Sequence, residues 1–175
     1  MTLGTRGAQW SLALVTSSLI ALGWTVFTKS PPRFVYNASD SVPIGWYRID
    51  PAGSRAAGNL VLVQLPPEAM ALAAQRGYLP ASVPLLKTVA AAAPQQVCVQ
   101  GTQVRVGGRL VARRLRGDRQ GRALPAWQAC RRLMGDELFL LSTANPQSFD
   151  SRYFGPVSAR RVIGRAQPLW LDSRR

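Results

Sequence analysis

Lys87 is the first side chain whose type and setting could do chemistry. Lys29 and Lys87 are the only lysines among the 22 basic residues, and Lys87 lies in the apolar run Leu85–Ala90. An arginine keeps its proton in a protein, whereas a buried lysine can lose it. A lysine base near neutral pH needs its pKa lowered from ~10.4 to ~7–8, which burial can impose. Two interpretations stay open: a buried general base, or a strand lysine whose ammonium group reaches the surface.

A lysine base needs a nucleophile, and the segment 37–47 offers one in Ser41. Pro43 and Gly45 restrict the backbone path after Ser41, and such a path can expose its hydroxyl group. Ser39 lies two residues earlier and faces the same side if the segment is extended. Its hydroxyl could then join the Ser41 amide in stabilising an oxyanion. The alternative is an ordinary polar turn without a catalytic role.

Asp150 and Arg152 lie two residues apart in the segment 148–156, which begins at Ser148. Such a pair can form a salt bridge that fixes the conformation of a loop. Asp150 could also orient Lys87, as the third group of a catalytic triad orients the base. The sequence leaves open whether the pair is catalytic or only structural.

The composition excludes several classes of site. The chain has 175 residues and no His, so it has no Ser-His-Asp triad, Cys-His dyad or His-ligated metal. Its two cysteines, Cys98 and Cys130, are too few for a site of four thiolates. We therefore predict no metal and no cofactor. The cysteine pair fits one disulfide in an oxidising compartment, with two buried free thiols as the alternative.

The net charge is +14, and five arginines fall in the stretch 113–122. A domain this basic could bind nucleic acid or an anionic membrane surface. No recognition helix, aromatic RNA-binding strand motif or zinc finger accompanies the charge. We therefore expect a solvated, arginine-rich surface and no nucleic-acid partner. The sequence gives the stretch itself no further role.

The N-terminal part of the chain differs in character from the rest. From Gly7 to Thr28 the sequence carries no charged residue. As a helix this run would reach about 30 Å, the thickness of the hydrocarbon core of a bilayer. We predict a single-pass membrane anchor at 1–29, a linker at 30–36 and a folded domain at 37–175. A cleaved signal peptide is the competing interpretation, but the run ends without a small-x-small cleavage site.

Beyond residue 36, short runs rich in Val, Leu and Ile alternate with Gly and Pro, which predicts a mainly β domain of short antiparallel strands. Gly107-Gly108 predicts a hairpin turn. One short helix is predicted from Pro66 to Arg76, because prolines open it and Gly77 closes it. The predicted strands are Gly45–Ile49, Leu60–Leu65, Leu85–Ala90, Gln96–Gln100, Gln103–Val106, Arg109–Ala112, Leu138–Leu141 and Val162–Ala166.

Three segments together resemble the type I signal peptidase clan of serine proteases, and within it the conjugative-transfer (TraF-type) branch. The pattern S-x-P-x-G-x-Y at 41–47 resembles the nucleophile motif of that branch, and L-K-x-V at 86–89 resembles the motif around the clan's lysine. The pattern S-x-D-S-R-Y-x-G at 148–155 is similar to the C-terminal motif, and G-R-x-L-P-x-W at 121–127 is also similar to the TraF-type branch. Order and spacing agree over roughly residues 37–168.

The resemblance implies a signal-peptidase-like domain docked on the outer face of the bacterial inner membrane, in the periplasm. The reaction would be endopeptidase cleavage of an exported precursor, which in the TraF-type branch is typically a conjugative pilin. The bilayer would hold the chain through its N-terminal helix. The implied site residues are Ser41 as nucleophile, Lys87 as general base, Asp150 as third group, Ser39 as oxyanion donor, and Pro43, Gly45, Ser148 and Arg152 as supporting residues.

Two rival functions would use the same features. A non-catalytic, anchored, basic β module of a secretion or conjugation apparatus would leave Ser41→Ala and Lys87→Arg without effect. A self-cleaving, DNA-bound repressor would use the same dyad chemistry, but the membrane segment and the lack of a DNA-binding domain argue against it. We therefore favour a membrane-anchored Ser-Lys endopeptidase.

Overall fold

The computed structural model describes residues 4–27, 31–142 and 144–172. The chain divides into two compact units, Met1–Pro31 and Pro32–Arg175. The first unit contains helix α1, Gly4–Phe27, and the second contains the other elements. The boundary falls between Pro31 and Pro32.

Helix α1 falls within the predicted anchor at 1–29. Its side chains at positions 9–20 are exposed. The hydroxyl groups of Ser11, Thr16, Ser17 and Ser18 donate to backbone carbonyls of the preceding turn, and these residues lower the hydropathy of the helix. Within the described ranges, no helix combines the length and the apolar character that a membrane span needs. The structure therefore supports the predicted helix but not the predicted span.

The second unit is built mainly of antiparallel strands, as the sequence predicts. Eleven strands and two short helices follow α1 within the described residues, with a 3₁₀ turn at Ala159–Arg161. The strands are β1 Phe34–Asn37, β2 Gly45–Asp50, β3 Leu60–Val63, β4 Leu85–Ala92, β5 Gln96–Gln100, β6 Gln103–Val106, β7 Arg109–Arg113, β8 Ala129–Arg132, β9 Glu137–Leu141, β10 Val157–Ser158 and β11 Val162–Leu171. The helices are α2 Pro67–Gln75 and α3 Ser151–Phe154.

Seven strands form the sheet that carries the predicted site, in the order β1-β2-β11-β3-β4-β9-β10. Strands β2 and β3 are not neighbours in this sheet, because β11 lies between them and pairs with both. Side chains of the central strands are buried on both faces, so each face contributes to a core. Val61, Val89 and Leu140 belong to one cluster, and Tyr47 and Leu62 belong to another.

Four strands form a second sheet in the order β7-β6-β5-β8. It packs against β4 and β9 of the first sheet through an apolar cluster that includes Val97, Val99 and Phe139. The predicted hairpin turn is confirmed at Gly107 and Gly108, whose φ values of 55° and 80° favour glycine.

Cys98 on β5 and Cys130 on β8 face each other in the second sheet. The structure joins them by a disulfide with a sequence separation of 32 residues. The bond ties the two strands that flank the long excursion through β6 and β7.

All eight predicted strand segments are strands in the structure, and the predicted helix is confirmed as α2. Three strands escaped prediction: β1, β8 and β10. Strand β8 reads Ala-Cys-Arg-Arg and β10 has only two residues, so neither shows an apolar period. Strand β1 begins at Phe34, inside the segment that we predicted to be a linker, because its antiparallel pairing with β2 fixes it.

Candidate active site

The second unit contains a cleft with a volume of about 490 Å³, and both residues of the predicted dyad line it. The loop between β1 and β2 forms one wall, and the residues that follow α2 form another. A segment at 114–124, between β7 and β8, also lines the cleft, and we call it the strap. The lining includes residues 38–41, 76–79, 117–120 and 147–149, together with Lys87.

Lys87 lies on β4, opposite Val61 of β3, and only 1% of its surface is exposed. Its Nζ donates a hydrogen bond of 2.5 Å to Ser148 Oγ. Burial lowers the pKa of Lys87 from 10.5 to about 8; the negative charge of Asp150 opposes this shift and the positive charge of Arg152 adds to it. A sizeable fraction of Lys87 is therefore neutral near physiological pH, as a general base requires.

Ser41 lies in the loop between β1 and β2, and its Oγ is 3.4 Å from Ser148 Oγ. The hydroxyl of Ser142 donates a bond of 2.5 Å to the Ser41 carbonyl oxygen and so fixes the loop from the other side. Among the described residues no hydrogen bond joins Ser41 directly to Lys87. Instead, both approach the hydroxyl of Ser148, which brings the two predicted residues to one point.

Asn37 at the end of β1 organises the loop that carries Ser41. Its side-chain amide donates to the carbonyl oxygens of Ser39, Val42 and Pro43 over 2.7, 2.9 and 3.1 Å. A buried amide whose two hydrogens are shared among three carbonyl oxygens of one loop restricts the conformation of that loop.

Pro43 and Gly45 shape the other end of this loop. The Tyr47 hydroxyl donates a bond of 2.6 Å to the Pro43 carbonyl oxygen. Gly45 has a φ of 144°, and a Cβ at this position would lie 2.2 Å from the Trp170 carbonyl oxygen of β11. Only glycine fits such a close approach between strands.

Ser39 lies on the cleft, but its hydroxyl donates to Asn37 Oδ1 over 2.8 Å. Its amide also donates to Asn37 Oδ1, over 3.2 Å. In this conformation the hydroxyl proton of Ser39 is engaged within the loop, so Ser39 must turn away from Asn37 to reach an oxyanion. Its role as an oxyanion donor stays a prediction.

Asp150 and Arg152 form a buried salt bridge of 2.8 Å behind the cleft. Asp150 Oδ2 also accepts the amide of Ser142 over 2.9 Å, and Asp150 caps helix α3 by accepting the Arg152 amide. The Arg152 guanidinium donates to the carbonyl oxygen of Ser148 over 3.1 Å and to others nearby. The pair thus fixes both serines that surround the dyad, and its charges act on Lys87 without touching it among the described residues.

The sequence motifs did not indicate Asn37 and Ser142 as site residues. Asn37 stands at the start of the nucleophile segment, and its spacing to Ser39 is a signal that could have been used, because Asn side chains often bond the backbone two residues on. Ser142 follows β9 and has no such signal, since its contact with Ser41 exists only in the folded sheet. Within the described ranges no group of three or more His, Cys, Asp or Glu side chains could hold a metal ion.

The chain matches the family model described as "Signal peptidase, peptidase S26" over residues 7–171. It is 33% identical over 173 residues to the Sinorhizobium fredii (strain NBRC 101917 / NGR234) protein named "Probable conjugal transfer protein TraF", a match that covers 94% of this chain and 90% of the relative. It is also 31% identical over 144 residues to an Escherichia coli protein named "Plasmid transfer protein TraF", with 76% of this chain and 80% of the relative covered. Family match, relatives and motif order agree: the chain belongs to the signal peptidase S26 family and is a TraF-type, signal-peptidase-like protein.

Proposed function

We propose that this protein is a serine endopeptidase that uses Ser41 and Lys87 as a catalytic dyad. The observation that carries the proposal is the convergence of both side chains on Ser148 Oγ at the cleft, with Lys87 buried and its pKa lowered to about 8. A buried, partly neutral lysine beside a serine hydroxyl is the arrangement that activates a nucleophile without histidine.

The mechanism begins when Ser41 Oγ comes within hydrogen-bond distance of neutral Lys87 Nζ, which then accepts the proton of the Ser41 hydroxyl. Ser41 Oγ then bonds to the carbonyl carbon of the scissile peptide, and the Ser41 amide, with Ser39 once its hydroxyl turns, stabilises the oxyanion. Lys87 returns its proton to the leaving amine as the peptide C–N bond breaks, which leaves an acyl-enzyme. Water, or an amine of the substrate itself, then gives a proton to Lys87 and bonds to the acyl carbon. The bond to Ser41 Oγ breaks, Ser41 takes the proton back from Lys87, and either an acid or a cyclic amide is released.

Ser148 and Asp150 serve this chemistry as positioning residues. The Ser148 hydroxyl accepts a bond from Lys87 and so directs its Nζ toward the nucleophile. Asp150 holds the segment that carries Ser148, through the salt bridge with Arg152.

The substrate that we propose is an exported precursor, with a conjugative pilin as the leading candidate. The support comes from the names of the relatives, which are conjugal or plasmid transfer proteins. We also propose attachment to the inner membrane through residues 1–29 and a catalytic domain in the periplasm. The support is the uncharged run from Gly7 to Thr28 and the disulfide, which fits an oxidising compartment.

The test is a mass spectrum of the pilin precursor from cells that make wild type, Ser41→Ala, Lys87→Arg or the exposed control Ser54→Ala. We expect wild type and Ser54→Ala to trim the precursor and the two dyad variants to lose at least about 10⁴-fold in activity. Lys87→Arg keeps the charge but cannot accept a proton, so it separates base chemistry from electrostatics. The product mass distinguishes hydrolysis from cyclisation by one water.

Equal trimming by all four proteins would refute the dyad and favour the non-catalytic, basic β module. If no protein trims the precursor, the pilin is the wrong substrate. Extraction of the same membranes with alkaline carbonate tests the anchor, because an integral protein stays with the lipid and a peripheral one is released.

A further inference from the structure

The arginine-rich stretch 113–122 received no role from the sequence, and the structure brings part of it to the cleft. Arg119 and Arg122 line the same cavity as Ser41 and Lys87, and Arg76 at the end of α2 lines it as well. These arginines belong to the strap and to the surface on which the strap rests. A cleft with several guanidinium groups selects for what it binds by charge.

Asp118, whose side-chain carboxylate is largely buried, helps to hold the strap in place. Asp118 Oδ2 accepts the Tyr78 hydroxyl over 2.5 Å and Arg122 Nε over 2.6 Å. The hydrogen bonds from Tyr78 and Arg122 hold the pKa of Asp118 well below its usual range, and the Tyr78 bond has the larger effect. Arg122 also donates to the Arg76 carbonyl oxygen over 3.1 Å, and this bond connects the strap to the end of α2.

Arg119 stands at the exposed tip of the strap. Its Nε donates to Gln147 Oε1, and Gln147 directly precedes Ser148. The path from Arg119 Nε through Gln147 and Ser148 to Ser41 Oγ is at most about 17 Å long. This length corresponds to about five residues of an extended substrate. The two terminal nitrogens of Arg119 have no partner among the described residues, so they remain open to a ligand.

The acidic residues of the cleft do not neutralise Arg119. Asp118 is fully engaged, because it also accepts the amides of Gln120 and Arg122. Asp40 lies on the cleft too, but it neighbours Ser41 in the opposite loop. An anionic group is therefore attracted at the strap.

We infer that Arg119 is a specificity-determining residue, which selects substrates with a carboxylate within about five residues of the scissile bond, on one side of it. This inference rests on the proposed function and extends it to the class of substrate. The carboxylate belongs either to an Asp or Glu side chain or to the free C-terminus of the substrate. Because both present the same two oxygens to a guanidinium fork, the structure makes them equivalent ligands.

The test uses the full chain in detergent and a proteome-derived peptide library, with cleavage sites identified by mass spectrometry. Ser41→Ala supplies the background. Peptides that are cleaved are then resynthesised as Asp and Asn pairs, each with a free or an amidated C-terminus. The measured quantity is the ratio of kcat/KM within each pair for wild type, Arg119→Gln, Arg119→Glu and the control Arg109→Gln, which removes another exposed charge, from β7.

We expect wild type and Arg109→Gln to prefer the carboxylate by about 1.5-fold to fivefold on one side of the scissile bond, as exposed ion pairs contribute. Arg119→Gln should bring that ratio close to one, and Arg119→Glu should invert it. A preference carried by the free C-terminus alone identifies the terminal carboxylate as the ligand. Two results would overturn the inference and leave the proposed function standing. In the first, cleavage depends on Ser41 but shows no carboxylate preference. In the second, a carboxylate preference exists but Arg119→Gln leaves it intact.

If wild type cleaves no peptide, the proposed function fails and binding decides the inference. Fluorescence anisotropy then compares labelled library peptides, each synthesised with Asp or with Asn at one position, on Ser41→Ala protein with and without Arg119→Gln. Tighter binding of the Asp peptides that requires Arg119 supports an anion-selective cleft. Equal binding of the two peptides, or a difference that persists without Arg119, refutes it.

Discussion

At the scale of the residue, Lys87 decides what this cleft can do. The chain buries an ammonium group on β4 and gives it a serine hydroxyl rather than a carboxylate as its nearest partner. A directly bonded carboxylate would raise the pKa of a lysine, whereas a neutral hydroxyl leaves burial as the dominant influence. The electrostatic design thus keeps the lysine able to lose its proton.

We predict that kcat/KM rises with pH along a single limb centred near 8. The sign follows from the base being active only when neutral, which a lysine is above its pKa. The same shift is linked to stability. Between pH 8 and 10.5 the unfolded chain binds this proton and the folded chain does not, so this group makes the free energy of unfolding rise with pH.

The measurements are a pH-rate profile on a cleaved peptide and denaturant unfolding of wild type and Lys87→Met across the same range. Lys87→Met should remove the contribution of this group to the pH dependence of stability. A rate limb centred above 10, where an exposed lysine titrates, would contradict the role of burial.

The sequence was sufficient to predict which residues converge, but not how they meet. Ser41, Lys87 and Ser148 each stand in a short motif, and the structure brings all three together. The motifs could not show that Ser148 lies between the other two, because that depends on the packing of three separate segments. Ser142 escaped notice for the same reason.

At the scale of the element, the loop between β1 and β2 is a rigid holder for the nucleophile. Asn37 ties the loop from within, and Gly45 lets β2 approach β11 closely enough to fix its end. Helix α3 does the same for the opposite wall, because Asp150 caps it and its salt bridge with Arg152 is fully buried. Both walls thus depend on local bonds rather than on the substrate for their shape.

We predict that Asn37→Ala lowers the free energy of unfolding by about 2–4 kcal/mol, since three carbonyl groups lose their donor. Activity should fall at least about tenfold, because a small displacement of a nucleophile has a large cost in rate. Asn59→Ala, which removes one exposed bond to Ser54, is the matched control. Denaturant unfolding and peptide cleavage provide the two readouts, and a variant as active as Asn59→Ala would show that the loop needs no such tie.

Strand prediction succeeded where apolar side chains alternate with polar ones or follow one another over about four residues. It failed where only the pairing with a neighbouring strand makes the strand. The runs that became β5 and β6 match their predicted bounds, because Val residues mark every second position. Strand β1 is largely exposed and β8 carries two arginines, so neither presents a buried face in the sequence. Their partners in the sheet, rather than their composition, make them strands.

At the scale of the whole molecule, the second sheet supports the site from a distance. It packs on β4, which carries Lys87, and on β9, which precedes Ser142. The strap that lines the cleft connects two of its strands, β7 and β8. The disulfide between Cys98 and Cys130 closes the loop that contains the strap. The covalent link thus limits how far the strap can move from α2.

We predict that the double variant Cys98→Ser with Cys130→Ser loses about 3–4 kcal/mol of stability, the loop-closure entropy for a ring of this length. Wild type treated with reductant should show the same loss, and denaturant unfolding with and without reductant measures both. The carboxylate preference should weaken together with stability if the ring holds the strap. Equal stability of oxidised and reduced protein would contradict this role.

Under the proposed function, strand β11 also determines when the active site can form. Ser41 lies in the β1-β2 loop on one side of β11 and Lys87 belongs to β4 on the other side, and the backbone ladder between the two sides runs through β11. Because β11 follows both sides in the sequence, a chain that is still being synthesised lacks the strand that joins them by backbone hydrogen bonds. If the proposed function holds, we expect proteolytic activity to arise only after residues 162–171 have joined the sheet.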